Sequence, residues 1–307
     1  MHRAFALALL SGVWIAAQCG ETSSAVEPGS LMSIEQYAGI RHERPYVLRI
    51  CARDGQLRYV GTQHTTSLTG STVRSLVQEL DQFRPDVLLI EGPAFPAKAS
   101  LDETVSAYGE AGVFLFEGAK RNVPVLSLDI PIEAEMKVVA TRFGHEATAT
   151  FYGLRYVAQE LSAQGEATPE QIVKVASDWL TRHRLLSTPS GESGTAALSR
   201  VAHQVLPFFG TWKDVSSDWF DPLRGTGLMG DIARFLVSSR DARMSSAILR
   251  ELSAGRKVLA EAGASHVVMQ EPAIAQGLGC LGRAKQAGDF LRSPSVHICA
   301  DSCSTNN

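Results

Sequence analysis

Four short apolar runs in this chain end on residues that carry chemistry. Tyr59-Val60 runs into Gly61-Thr62-Gln63-His64, and Val258-Leu259-Ala260-Glu261-Ala262 runs into Gly263-Ala264-Ser265-His266. Val87-Leu88-Leu89-Ile90 ends on Glu91, and Val125-Leu126-Ser127-Leu128 ends on Asp129. In a parallel α/β sheet the carboxyl ends of the strands share one rim, where ligands bind. Two imidazoles and two carboxylates delivered to one rim are the makings of a hydrolytic or metal site.

The spaces between these runs are helical. Leucines and valines at helical spacing predict a helix over Ser71–Phe83, ended by Pro85, and a second over Leu101–Arg121. Two strands, Tyr46–Cys51 and Gln56–Gly61, flank Ala52-Arg53-Asp54-Gly55, a hairpin signal. Strands follow at Val87–Glu91 and Val123–Asp129. Alternating strands and helices imply right-handed crossovers and an α/β fold with a central mixed, mostly parallel sheet. From about 132 to 235 β-period is almost absent. Helices are expected there over Ile132–Phe143, Ala147–Ala163, Pro169–Leu186, Ala196–Phe209 and Gly230–Phe235, as an insertion covering the rim. A helix Arg240–Ala254 then leads to a strand Arg256–Ala262, with a last strand at Pro294–Cys299.

Each candidate has a plain structural reading beside the functional one. Gly61 permits a tight exit from its strand with either sign of φ, after which His64 can point back into the crevice; its counterpart is His266. Glu91, at the mouth of a buried strand, suits a general base or a metal ligand, or else caps a helix. Asp129 stands in the equivalent place on the next strand but also opens an Asp-x-Pro turn. Glu133 is a weaker acid candidate. An arginine of Arg240-Asp241-Ala242-Arg243-Met244 aimed at the rim would hold a carbonyl or carboxylate oxygen. His42, His145, His183, His203 and His297 lack such support, and Ser193 follows no strand, so all are read as structural.

At 307 residues, 45% hydrophobic and 20% charged, the chain buries a full core. A net charge of -3 and the lack of any Lys/Arg run give no reason to expect nucleic acid as a partner. The apolar stretch Ala4–Ala17 behind His2-Arg3 has signal-peptide length and is too short for a bilayer. Residues 1–25 are therefore expected to be a signal peptide, cleaved after Ala17 or Ala25, followed by a linker over 26–45. Cys19 would allow a lipid anchor, although Gln18 stands where a small residue is wanted. The expected location is exported: periplasmic, membrane-anchored or extracellular. Cys51, Cys280, Cys299 and Cys303 then permit two disulfides in any of three pairings, or buried thiols.

Together the strand ending Gly61-Thr62-Gln63-His64, the strand ending on Glu91, Arg240-Asp241-x-x-Met244 and Gly263-Ala264-Ser265-His266 resemble the TraB/Tiki superfamily. This group includes GumN-like proteins and is distantly similar to erythromycin esterases and ChaN-type haem-binding lipoproteins. The resemblance covers Tyr46 to His266 through short motifs only. It implies a domain over 46–307 with two pseudo-symmetric halves, each presenting one Gly-x-x-His. It implies metal-dependent peptide hydrolysis, or metal-independent hydrolysis of a small ester. His64, Glu91, Arg240 and His266 would be catalytic; His64, Glu91, His266 and Asp129 would hold a divalent ion such as manganese, zinc, cobalt or iron. The resemblance also allows a binding protein for haem or a peptide. Two departures stand out: Asp241 replaces the usual Asn, and Val267-Val268-Met269-Gln270-Glu271-Pro272 replaces the usual small-Gly continuation.

Overall fold

The computed structural model describes residues 30–51, 55–63, 70–163, 165–278 and the backbone of the strand 295–299. The expected signal peptide, His64 and Cys280 and Cys303 lie outside them.

Six strands form one sheet: β1 (Tyr46–Cys51), β2 (Gln56–Thr62), β3 (Val87–Ile90), β4 (Val125–Ser127), β5 (Lys257–Gly263) and β6 (Ser295–Cys299). Their order is β4-β3-β5-β2-β1-β6. β2, β3, β4 and β5 run parallel; β1 pairs antiparallel with β2 and carries β6 along its outer edge. The fold is therefore α/β with a mixed, mostly parallel sheet, as the alternation of strands and helices predicts. β1 and β2 pair in hairpin register, Tyr46 with Gly61 and Cys51 with Gln56. Cys51 is disulfide-bonded and lies opposite Cys299 in the β1–β6 register.

Period-two alternation sends the strands' side chains to two different cores. Val87 and Leu89 of β3 join Tyr59, Met244, Ile248, Val267 and Ile274 on one face. Leu88 and Ile90 join Leu76, Leu80 and Phe114 on the other, under α2 (Ser71–Phe83) and α4 (Ala111–Arg121). A short helix α1 (Ile34–Ala38), capped by Ser33, lies where a linker was expected. Met32 N bonds the Met269 carbonyl, and Met32, Tyr37 and Ile40 pack on the first of these cores.

The helix expected over 101–121 is two helices, α3 (Leu101–Tyr108) and α4. Gly109 at φ 64 ends α3, a conformation that a β-carbon would strain. Between β4 and β5 come α5 (Ile132–Phe143), α6 (His145–Ser162), α7 (Pro169–Arg182), α8 (Gly194–Val205) and α9 (Gly227–Ser253). Ser193 caps α8 by accepting from Ala196 N, in keeping with a structural role. These helices enclose a third core, built around Phe151, Leu154, Leu180 and Leu198.

Two expected helices turn out to be one. α9 is 27 residues long and unbroken across 235–240. Its first half packs Met229, Ile232 and Leu236 into the core of the insertion, and its second half packs Met244, Ile248 and Leu252 against the sheet. The polar stretch between those halves, Ser238-Ser239-Arg240-Asp241, is the part that crosses the rim. α10 (Ala264–Gly277) follows β5 without a loop. No helix among the described residues is long and apolar enough to cross a membrane.

Candidate functional site

β3, β4 and β5 all end at one rim, and α9 passes over it. Ile90 is in register with Ser127 and with Glu261, so Glu91 and Asp129 leave the sheet side by side. On the neighbouring pair Gly61 lies opposite Ala262 and Thr62 opposite Gly263. Thr62 and Gly263 thus end adjacent parallel strands side by side. Ala264 begins α10, and His266 sits in its first turn.

Gly61 has a different reason from the one the sequence suggests. It does not adopt positive φ; a β-carbon there would lie 2.8 Å from Ala264 Cα and 3.2 Å from Tyr46 Cβ. Gly61 lets the start of α10 sit directly on β2.

Arg240 organises the rim. Its Nε donates to Asp129 Oδ1 at 2.8 Å, and its Nη2 donates to Asp129 Oδ2 at 2.7 Å and Glu91 Oε1 at 3.0 Å. A two-pronged guanidinium–carboxylate pair is strong and directional. Burial by itself would lower the Arg240 pKa. The hydrogen bonds and charge of Asp129, with the charge of Glu91, outweigh this and hold it above its ordinary value. The guanidinium is permanently cationic, and Nη1 has no protein acceptor among the described residues.

Besides Arg240, Glu91 accepts from the backbone N–H of Gly263 at 2.7 Å, at the head of α10, as a helix cap does. Asp129 accepts from Gly92 N at 2.9 Å, tying its strand's exit to that of β3, while binding Arg240. Glu133 stays out of the site, 3.3 Å from His183 on the insertion.

His266 is held from behind. Its Nδ1 lies 2.6 Å from Oδ1 of Asp241, which is buried and also accepts from Gln270 Nε2 at 2.7 Å. Tyr59, on β2, donates to Gln270 Oε1 at 3.2 Å, completing a chain from sheet to imidazole. Nε2 lies 3.7 Å from Glu91 Oε1, too long for a hydrogen bond. Burial pulls the His266 pKa down, but the charge and hydrogen bond of Asp241, then the charge of Glu91, win and raise it. The imidazolium is therefore favoured.

Beneath the rim Glu261 is fully buried and accepts from Glu91 N at 3.1 Å. Burial, then the charges of Glu91 and Glu110, raise its pKa well above its ordinary value. A pocket of about 260 Å³ on this side is lined by Glu91, Glu110, Asp129, Glu261 and Arg240.

On the other side of Arg240 a cleft of about 790 Å³ opens between rim and insertion. Asp129, Arg240 and His266 line it from the rim, and Glu135, Phe151, Arg155 and Phe220 from the insertion.

Four of the five residues singled out in the sequence, Glu91, Asp129, Arg240 and His266, come together here; the fifth, His64, lies outside the described residues. Among the described residues no three His, Cys, Asp or Glu side chains are arranged to hold a metal ion. The described members of the expected ligand set do not fit a divalent cation as they stand, because the guanidinium of Arg240 already bridges both carboxylates. Asp241, Gln270, Glu261 and Arg155 carry no role in the sequence reading. Two had a signal: Asp241 as a departure from the TraB/Tiki-like pattern, and Gln270 by its i+4 spacing from His266 once α10 is seen as a helix. Compared with family models, with curated proteins and with solved structures, the chain gives no match.

Proposed function

We propose that this protein is an exported hydrolase of TraB/Tiki-like type that cleaves a peptide bond or a small ester in the cleft beside Arg240. The observation that carries the reading is the Asp241–His266 pair. A buried carboxylate holds the imidazole at 2.6 Å, on the edge of a cleft that also exposes a guanidinium with unspent donors. The disulfide at Cys51 supports export, since such bonds persist in oxidising compartments.

A carbonyl oxygen resting against Arg240 Nη1 would gain negative charge as water adds to its carbon. A fixed cation in a part-buried site stabilises that charge without reorganising. His64, by the resemblance, takes the proton from water. His266, in its protonated form, gives its Nε2 proton to the leaving nitrogen or oxygen as the bond to carbon breaks. Asp241 keeps the ring oriented with Nδ1 engaged, as the third member of such arrays does. The metal-dependent route would require Glu91 to leave Arg240 and join His64 and His266 around the ion.

The test is a panel of short peptides and p-nitrophenyl esters offered to the processed full chain, with and without manganese, zinc, cobalt or iron. Turnover is expected, and His266→Ala and Arg240→Met should each lower it about 100-fold or more. No turnover of any substrate with or without metal, or turnover untouched by both variants, would overturn the reading. A rise that depends on one metal and is lost in Glu91→Gln would establish the metal route instead.

A further inference from the structure

Arg155 of α6 has no place in the chemistry above, and its surroundings do not satisfy it. Its side chain lines both the main cleft and an adjoining pocket of about 310 Å³. Among the described residues its guanidinium has no hydrogen bond and no carboxylate within ion-pair distance. Among the described residues the nearest acid acting on it, Glu135, accepts from Tyr152 OH at 2.7 Å instead. The contrast with the other arginines of the region is sharp. Arg240 holds two carboxylates, and Arg234 holds Asp231 and two backbone carbonyls. One helical turn beyond Arg240, Arg243 also keeps a buried Nη2 with no acceptor. Burial lowers the pKa of both Arg155 and Arg243. A part-buried cation without a counter-ion is unfavourable, and the rim's acids are committed elsewhere.

The adjoining pocket has a different character. Tyr152, Tyr156 and Trp179 line it, with Val175 and Ile132 at its edge. Its wall is largely aromatic, with Arg155 shared between it and the cleft.

We propose that the cleft takes a substrate bearing a free carboxylate, received by Arg155, next to an aromatic group seated among Tyr152, Tyr156 and Trp179. This rests on the hydrolase reading for the word substrate and adds its class: a molecule with an acidic group and a bulky apolar group near the scissile bond. A planar guanidinium matches a carboxylate with two parallel N–H bonds. Asp129 and Glu135 line the same cleft, and they disfavour a doubly charged phosphate more than a single negative charge.

Binding is tested apart from turnover, with probes that hold no cleavable bond. By isothermal titration calorimetry on the full chain, 3-phenylpropanoate should bind about tenfold or more tightly than 3-phenylpropan-1-ol, and more tightly than acetate. Arg155→Gln should erase the preference for the acid over the alcohol, and Arg155→Lys should restore part of it. Equal binding of acid and alcohol by the unaltered protein, or no binding of either, overturns the proposal, as does an Arg155→Gln variant that keeps the preference. Tighter binding of 2-phenylethylphosphonate overturns the carboxylate assignment. If the acid is preferred while no peptide or ester is turned over, the hydrolase reading falls and the anion site stands. If turnover is found but acid and alcohol bind alike, the anion site falls alone.

Discussion

Asp241 and His266 sit on different helices, 25 residues apart in sequence, yet their side chains meet at 2.6 Å with the carboxylate buried behind the ring. Asp241 is therefore the residue that does most to raise the proton affinity of the imidazole. An Asn would accept the same hydrogen bond but carry no charge to favour the protonated ring.

Asp241→Asn is expected to lower the His266 pKa while keeping the ring in place. If His266 acts as an acid, activity is present below its pKa and lost as pH rises through it. The variant should move that loss to lower pH and reduce turnover at neutral pH about tenfold or more. A pH–rate profile paired with an NMR titration of the ring protons checks this; an unmoved profile in a folded variant would contradict the assigned role.

Glu271 offers a separate pH effect, remote from the cleft. Burial, only partly offset by the hydrogen bond from Tyr46 OH, raises its pKa from 4.5 to about 7. Folding thus favours the protonated acid. The stability this confers is complete below pH 4.5 and is lost as pH rises to about 7, then stays flat. The full loss is worth about 3 kcal/mol. Glu271→Gln should be more stable than the parent at pH 8 and no more stable at pH 4.5, as read by urea unfolding. Parallel stability curves for the two proteins would refute the assignment.

Gly61→Ala should destabilise the fold by about 1–3 kcal/mol, because the new methyl meets Ala264 Cα at 2.8 Å and neither backbone can retreat. The push falls on the first turn of α10, which carries His266, so turnover should drop along with the melting temperature. A variant that melts with the parent would show that α10 has more freedom than this packing allows.

The order of strands and helices is readable from the sequence because the central strands are apolar runs and helices such as α2 and α7 are amphipathic, and those patterns are local. α2 and α5 end where spacing places them. Arg240 and Asp241 mislead the reading of α9, since a polar interruption in an apolar period looks like a helix break. Here it marks a passage between two cores, with the charged residues facing the rim. The rim residues Glu91 and Asp129 are visible because strand ends announce themselves. Asp241, Glu261 and Arg155 are not, because their meaning depends on which distant side chains they meet or fail to meet.

The unbroken course of α9 through both cores bears on how the cleft is reached. Hinges need residues that absorb a change in φ and ψ, and a continuous helix supplies none along its length. Any rocking of the five-helix cap would drag Arg240 off its two acids, dismantling the charge arrangement at the moment of entry. Under the proposed function, reactants and products pass through a standing doorway, and exchange is set by the width of that opening rather than by the tempo of a closing jaw.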